Sequence, residues 1–166
     1  MVCSTAAEFS ASLSIGTRYE TYIYEFLQRT LGLRIRHFCG KGAQRLGENA
    51  AGLEIKYDGR WQQTGHLYIE TADRVDGGGG IYRQNNTRNL LIGDYDKCWV
   101  FSISQLRQLD QMVDVYDDDP AARPVRVPHY KHVENPRSNS RGFLLPVADA
   151  DRLCRMRANL TREVQS

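Results

Sequence analysis

Between Leu53 and Arg74 the chain reads LEIKYDGRWQQTGHLYIETADR, with apolar side chains at every second position in two successive runs. A period of two is the pattern of a strand that buries one face. Two such runs in succession commit the chain to a sheet with one side covered. The polar stretch between them predicts a turn, and so a β-hairpin. Leu53, Ile55 and Tyr57 then share one face of the first strand, and Glu54, Lys56 and Asp58 the other. In the second strand Leu67, Ile69 and Thr71 oppose His66, Tyr68, Glu70 and Ala72. With the turn centred near Gln62, Glu54 stands directly across from Glu70, and Lys56 across from Tyr68.

The rest of the chain supplies helices to cover such a sheet. Thr17-Arg-Tyr-Glu20 has the form of a capping box, and TRYETYIYEFLQRTLG behind it spaces Tyr19, Ile23, Phe26, Leu27 and Leu31 as one helical face, with Gly32 as its stop. Residues 1–15 read as a loosely ordered lead-in, with no basic flank and apolar block of the kind a signal peptide carries. LRIRHFC predicts a first strand and GKGAQRLGENAAG a polar loop. A flexible break at GGGG precedes a short helix over residues 86–91. KCWVFSIS reads as a buried strand, SQLRQLDQMV as a short helix capped by Ser104, GFLLPV as a strand and DADRLCRMRANLTREV as a helix. On that last helix Leu153, Met156, Leu160 and Val164 form one stripe. The expected fold is a single α/β (α+β) domain over residues 1–166, a mixed sheet flanked by helices.

The length of 166 residues suffices for one core, and 41% hydrophobic with 25% charged residues is ordinary for a globular protein. No apolar run approaches the roughly 18 residues of a membrane span, so no membrane association is expected. Cys3, Cys39, Cys98 and Cys154 form no CxxC pair, which points to free thiols in a reducing cytoplasm. The net charge of +2 says little, but its distribution is uneven: residues 110–119 hold five Asp, whereas 120–141 hold Arg123, Arg126, Lys131, Arg137 and Arg141 against Glu134. Three prolines between Pro124 and Pro136 make 117–141 a long basic loop, either solvated or touching phosphates.

Two carboxylates opposed on a hairpin repel, so a cation must offset them. Either Lys56 bridges Glu54 and Glu70, or a divalent ion does. Mg²⁺ takes one or two carboxylates and keeps waters and phosphate oxygens as its other ligands; Mn²⁺ would serve similarly. These residues resemble the PD-(D/E)XK, or restriction-endonuclease-like, nuclease superfamily. The resemblance covers roughly residues 17–104 and implies a core of helix, three-strand meander, helix and further strand. It places Glu54 as the first carboxylate, Glu70 as the second and Glu20 as the helix glutamate; Glu20 could equally be the partner of the Thr17 cap. Ala72 stands where the family carries its lysine, so Lys56 would supply the amine from the neighbouring strand. An alternative register takes Glu54-Ile-Lys56 itself as the ExK element, with Glu48 as the earlier carboxylate. A third possibility is lost catalysis.

The resemblance implies a Mg²⁺-dependent DNA endonuclease, a homodimer of bacterial or phage origin, with no small-molecule organic cofactor. Glu54 and Glu70 would hold the metal, and Glu54, Glu70, Lys56 and Glu20 would carry the chemistry. DNA contacts are expected from Lys41 and Arg45, from Tyr82, Arg83, Gln84, Asn85, Asn86 and Arg88, and from Arg123, Arg126 and Lys131. The terminal helix stripe is the expected dimer contact or a core face. His129 and His132 have metal-like spacing but no cysteine or acidic cluster nearby in sequence, so they read as surface residues. The competing readings are a non-catalytic nucleic-acid-binding or assembly protein on the same fold, and an interaction module that binds no nucleic acid.

Overall fold

The computed structural model describes residues 6–37, 46–73, 79–118, 130–136 and 139–160. Helix α1 (Ala6–Leu31) precedes strand β1 (Leu53–Tyr57), the one-turn helix α2 (Trp61–Thr64) and β2 (His66–Asp73). After a 3₁₀ turn at Gly80–Tyr82 come β3 (Asn89–Gly93), β4 (Lys97–Ser102) and helix α3 (Ile103–Asp118). The described chain closes with β5 (Lys131–Asn135), β6 (Ser140–Pro146), helix α4 (Val147–Leu153) and β7 (Met156–Asn159). The class is mixed α/β, as the pattern of elements predicts. No described helix is long and apolar enough to cross a membrane.

The strands form two sheets, ordered β1-β3-β4-β7 and β2-β6-β5. This overturns the hairpin. β1 pairs in parallel with β3, Leu53 opposite Asn89, while β2 pairs antiparallel with β6, Glu70 opposite Gly142. The stretch between β1 and β2 is not a tight turn: α2 occupies it, ending at Gly65 in the left-handed region, and its Trp61 packs edge-on against Trp99 of β4 (ring centroids 5.0 Å apart).

Alternation along β3 and β4 divides the core into two layers. Leu90, Ile92, Trp99 and Phe101 point to the side where β2, β6 and α3 pack, meeting Leu67, Ile69, Phe143, Leu145 and Leu106. Leu91 and Cys98 point to the other, where α1 lays Tyr19, Ile23 and Leu27 against them and against Ile55. Each such side chain stabilises the packing by about 1.5–3 kcal/mol on burial, so α1 is fixed to the four-stranded sheet by its apolar stripe.

Several element boundaries differ from the sequence reading. α1 begins at Ala6 rather than at a Thr17 cap, so residues 6–15 are helical and Thr17 lies inside the helix, its carbonyl accepting from Thr21 Oγ1. Its end is as expected: Gly32, at φ +66, donates its N–H to Gln28 O, a left-handed cap that costs glycine little. The predicted strand at 33–39 reduces, among the described residues, to one antiparallel bridge between His37 and Asn49. The predicted helix at 86–91 is a turn leading into β3, and the basic loop of 117–141 contains α3's last residues, β5 and the start of β6. The predicted terminal helix is the short α4 followed by β7, so Leu153, Met156 and Leu160 share no helical stripe; Val164 lies outside the described residues. The dimer contact expected from that stripe loses its basis. Of the described cysteines, Cys98 is buried and Cys154 half-buried, both as free thiols.

Candidate active site

Among the described residues strand β1 has β3 as its one strand neighbour, and an edge strand leaves alternate backbone groups unpaired. Here side chains from the preceding loop take those places. Asn49 Oδ1 accepts from Leu53 N–H at 3.1 Å while its Nδ2 donates to Leu53 O at 2.6 Å. Glu48 Oε2 accepts from Ile55 N–H at 3.3 Å. The loop is held from its other side by the segment before β3. Asn86 donates its N–H to Leu46 O and its Nδ2 to Asn49 O, and Gly52 O accepts from Arg88 and Asn89. Gly52 sits at φ +64 with the Asn86 carbonyl so close that a Cβ would lie 2.5 Å from it. Only glycine meets both demands.

This places Glu48 beside Glu54 and Lys56, the two candidate residues of β1. Glu54 and Lys56, two apart and so on one face, form an ion pair at 3.2 Å in which the Glu54 side chain is 6% exposed and that of Lys56 41%. From α1, half-buried Glu20 turns toward the same place. Burial raises its pKa and Glu54 adds to the rise, while Lys56 and His37 pull it back. Burial also pushes Glu48 up, to about 7; the charges of Glu54 and Glu20 add to this, and Lys56 and the Ile55 N–H oppose it. For Lys56 burial acts downward, but Glu54, Glu70 and Glu48 outweigh it and its pKa is raised. The Lys56 ammonium thus pairs with Glu54 and also feels the charges of Glu70, Glu48 and Glu20.

Glu54 and Glu70 therefore do not face each other across a ladder, since they belong to different sheets; the charges of both act on Lys56. Glu70 comes from β2 at a register shift before Ala72, an irregularity of the kind that re-aims a side chain. The residues brought together around β1 are those of the alternative register, Glu54 and Lys56 on the strand and Glu48 in the loop beside it. Glu48 lies six positions upstream of Glu54 in sequence, and the turn at Gly52 folds it back along the strand. Among the described residues no group of three or more His, Cys, Asp or Glu stands ready to share one metal ion.

Around this centre, Tyr24 of α1 accepts from Asn49 Nδ2 at 2.8 Å, and the His37 ring lies edge-on to it with centroids 3.9 Å apart. Burial lifts the Tyr24 phenol to about 12; Glu48 and Glu20 add to the rise and the Asn49 bond lowers it. Asn49, Tyr24 and His37 went unnoticed in the sequence. A GEN triplet before a strand is the one local signal for Asn49, and nothing local marks the other two.

The expected DNA-contact residues separate into groups. Lys41, Arg45, Arg123 and Arg126 lie outside the described residues. Tyr82 has a structural role: its hydroxyl donates to Asp110 Oδ2 at 2.8 Å and its ring meets the Arg107 guanidinium at 5.4 Å. Asn85 closes a turn by accepting from Thr87 N–H, and Asn86 holds the Glu48 loop as above. Arg83, Gln84, Arg88 and Lys131 are exposed. His132 lies on β5 rather than in a loop, its Nε2 2.8 Å from Asp110 Oδ1 and its Nδ1 3.2 Å from Arg141; His129 lies outside the described residues.

Comparison of the chain with protein-family models, with curated proteins and with solved structures returns no match.

Proposed function

We propose that the chain is a metal-dependent DNA endonuclease on a restriction-endonuclease-like core, with Glu48, Glu54 and Lys56 at its centre and Glu20 and Glu70 flanking them. The observation that carries this reading is the gathering of glutamates from α1, an edge loop, β1 and β2 around one lysine. A structural ion pair would need one of them. The shifted register also supports it, because with Lys56 in the ExK position Ala72 no longer implies a missing lysine.

The donors are carboxylate oxygens, which suit a hard divalent ion such as Mg²⁺ or Mn²⁺. Burial lifts the Glu48 carboxyl to about 7 and the charges of Glu54 and Glu20 add to the rise, so a cation held between Glu48 and Glu54 would offset negative charge that Lys56 alone does not. Glu54 and Glu48 would hold it, with Glu70 or Glu20 reaching it through water. When bound, the ion would polarise a phosphodiester and acidify a water. Lys56, its ammonium stabilised by the glutamates, stays charged at neutral pH. It therefore serves as an electrostatic partner for the pentavalent phosphorane rather than as a base. As a ligand of the ion Glu48 would be held ionised, and the proton of the attacking water would pass to solvent or to a phosphate oxygen. In-line attack on phosphorus would then expel the 3′ or 5′ oxygen of the broken strand. Exposed Arg83, Arg88 and Lys131 supply cations for the flanking phosphates.

The test is incubation of the purified protein with linear, supercoiled and branched DNA in Mg²⁺, Mn²⁺ or EDTA, beside Glu54→Gln and Glu70→Ala. Metal-dependent cutting is expected, reduced at least 100-fold by Glu54→Gln and less by Glu70→Ala. Cutting that Glu54→Gln leaves intact would sink the assignment. Salt-sensitive DNA binding with no cutting of any substrate would favour the non-catalytic nucleic-acid-binding protein instead.

A further inference from the structure

We infer that Tyr24 and Asn49 are positioning residues for the glutamate cluster: the hydrogen bond from Asn49 Nδ2 to the Tyr24 hydroxyl fixes the helix-borne Glu20 relative to the loop-borne Glu48. The catalytic consequence rests on the nuclease reading; the clamp itself does not. Glu20 and Tyr24 are four apart on α1 and so lie on one face, a turn from each other. Glu48 and Asn49 are consecutive. The 2.8 Å bond therefore joins the two carriers one step from each carboxylate.

Asn49 is suited to this work because it has no spare capacity. It is fully buried. Its Nδ2 donates to Tyr24 Oη and Leu53 O, and its Oδ1 accepts from the N–H groups of Ala51 and Leu53. Those four bonds use both donors and both lone pairs of the amide, so the side chain has one placement. That placement sets where Glu48 meets the Ile55 N–H. Tyr24 is held in turn by the His37 ring, and His37 bridges back to Asn49. The clamp is not what keeps α1 on the sheet, since Tyr19, Ile23 and Leu27 do so by burial. What it adds is the relation between helix and edge loop, the relation that an active site drawing one carboxylate from each depends on.

Tyr24→Phe removes the hydroxyl and leaves the ring. Amide hydrogen exchange, read by NMR at a temperature where both proteins are fully folded, should show protection at Ile55 falling at least 10-fold while the amides of β3 keep theirs. Calorimetry should show Mn²⁺ binding about 10-fold weaker, and kcat for DNA cleavage should fall about 10-fold with KM within twofold. Unchanged protection at Ile55 overturns the inference whether or not the protein cuts DNA. Equal loss across Ile55 and β3 also overturns it, as a general loss of stability, and so does selective loss at Ile55 with kcat and Mn²⁺ binding untouched. Selective loss at Ile55 in a protein whose wild type neither cuts DNA nor binds Mn²⁺ keeps the clamp and removes the nuclease.

Discussion

At the scale of single residues, Glu48 links stability to chemistry. Its pKa in the folded chain lies near 7, above the ordinary 4.5, so the folded state keeps a proton that the unfolded chain has released. Folding is therefore favoured below pH 4.5, and that advantage is lost as pH rises through 7. The full difference is at most ~3 kcal/mol. Glu48→Gln cannot ionise, so in EDTA it should melt several degrees above wild type at pH 8, with the gap closing toward pH 4.5. Thermal denaturation across that range checks it; a gap independent of pH would show that another group carries the charge. The same substitution should slow cleavage, since a carboxylate kept under strain for function is less stable than its neutral isostere. That Glu54 and Lys56 share a face was legible because a strand period of two assigns faces without any knowledge of neighbours. Glu48 was readable as an alternative only, because its place depends on a turn at Gly52 whose effect on direction no local pattern states.

Among the elements, what the sequence conveys is periodicity, and what it withholds is pairing. The runs of β1, β2 and β4 are strands as their alternation predicts, yet β1 takes a parallel partner that begins at Asn89 rather than the neighbouring β2. A period of two says which side is buried and is silent about which strand lies alongside. The helix ends show the same division. Gly32 stops α1 as expected, while the TxxE pattern at Thr17 fits a capping box and sits inside a continuing helix. Met156 and Leu160 have helical spacing, but the pairing of Met156–Asn159 with β4 overrides it. Two of the left-handed glycines, Gly32 and Gly52, give a direct measure of what the site loop demands. Gly32 at φ +66 has open space around the position of a Cβ, whereas Gly52 at φ +64 has the Asn86 carbonyl there. Gly32→Ala should cost about 1 kcal/mol, from backbone conformation alone. Gly52→Ala should cost about 2–3 kcal/mol or more, because the loop or β3 must also move. Urea denaturation of both variants tests this, and equal costs would mean that the close approach at Gly52 contributes nothing.

On the scale of the whole molecule, the proposed nuclease, with a net charge of only +2, would have to hold a polyanion against a centre of glutamates. The cluster itself, Glu20, Glu48, Glu54 and Glu70 around Lys56, repels phosphate. Affinity must then come from cations around it, and Arg83 and Arg88, which flank the segment that pins the Glu48 loop, are exposed on the described surface. A phosphate contact releases counterions, and each contributes about 0.9 to the slope of log K against log salt. With Ca²⁺ in place of Mg²⁺ to permit binding without cutting, Arg83→Gln with Arg88→Gln should reduce that slope by about 2 and weaken binding alike for different DNA sequences. Glu54→Gln should leave the slope nearly unchanged and, in EDTA, tighten binding by removing a buried anion beside the phosphate. Fluorescence anisotropy between 50 and 300 mM salt measures both, a range wide enough by order of magnitude for slopes of this size. An unchanged slope in the arginine variant would move the backbone contacts elsewhere on the protein. Tighter binding by Glu54→Gln, together with its loss of cutting, would place the scissile phosphate at the glutamates.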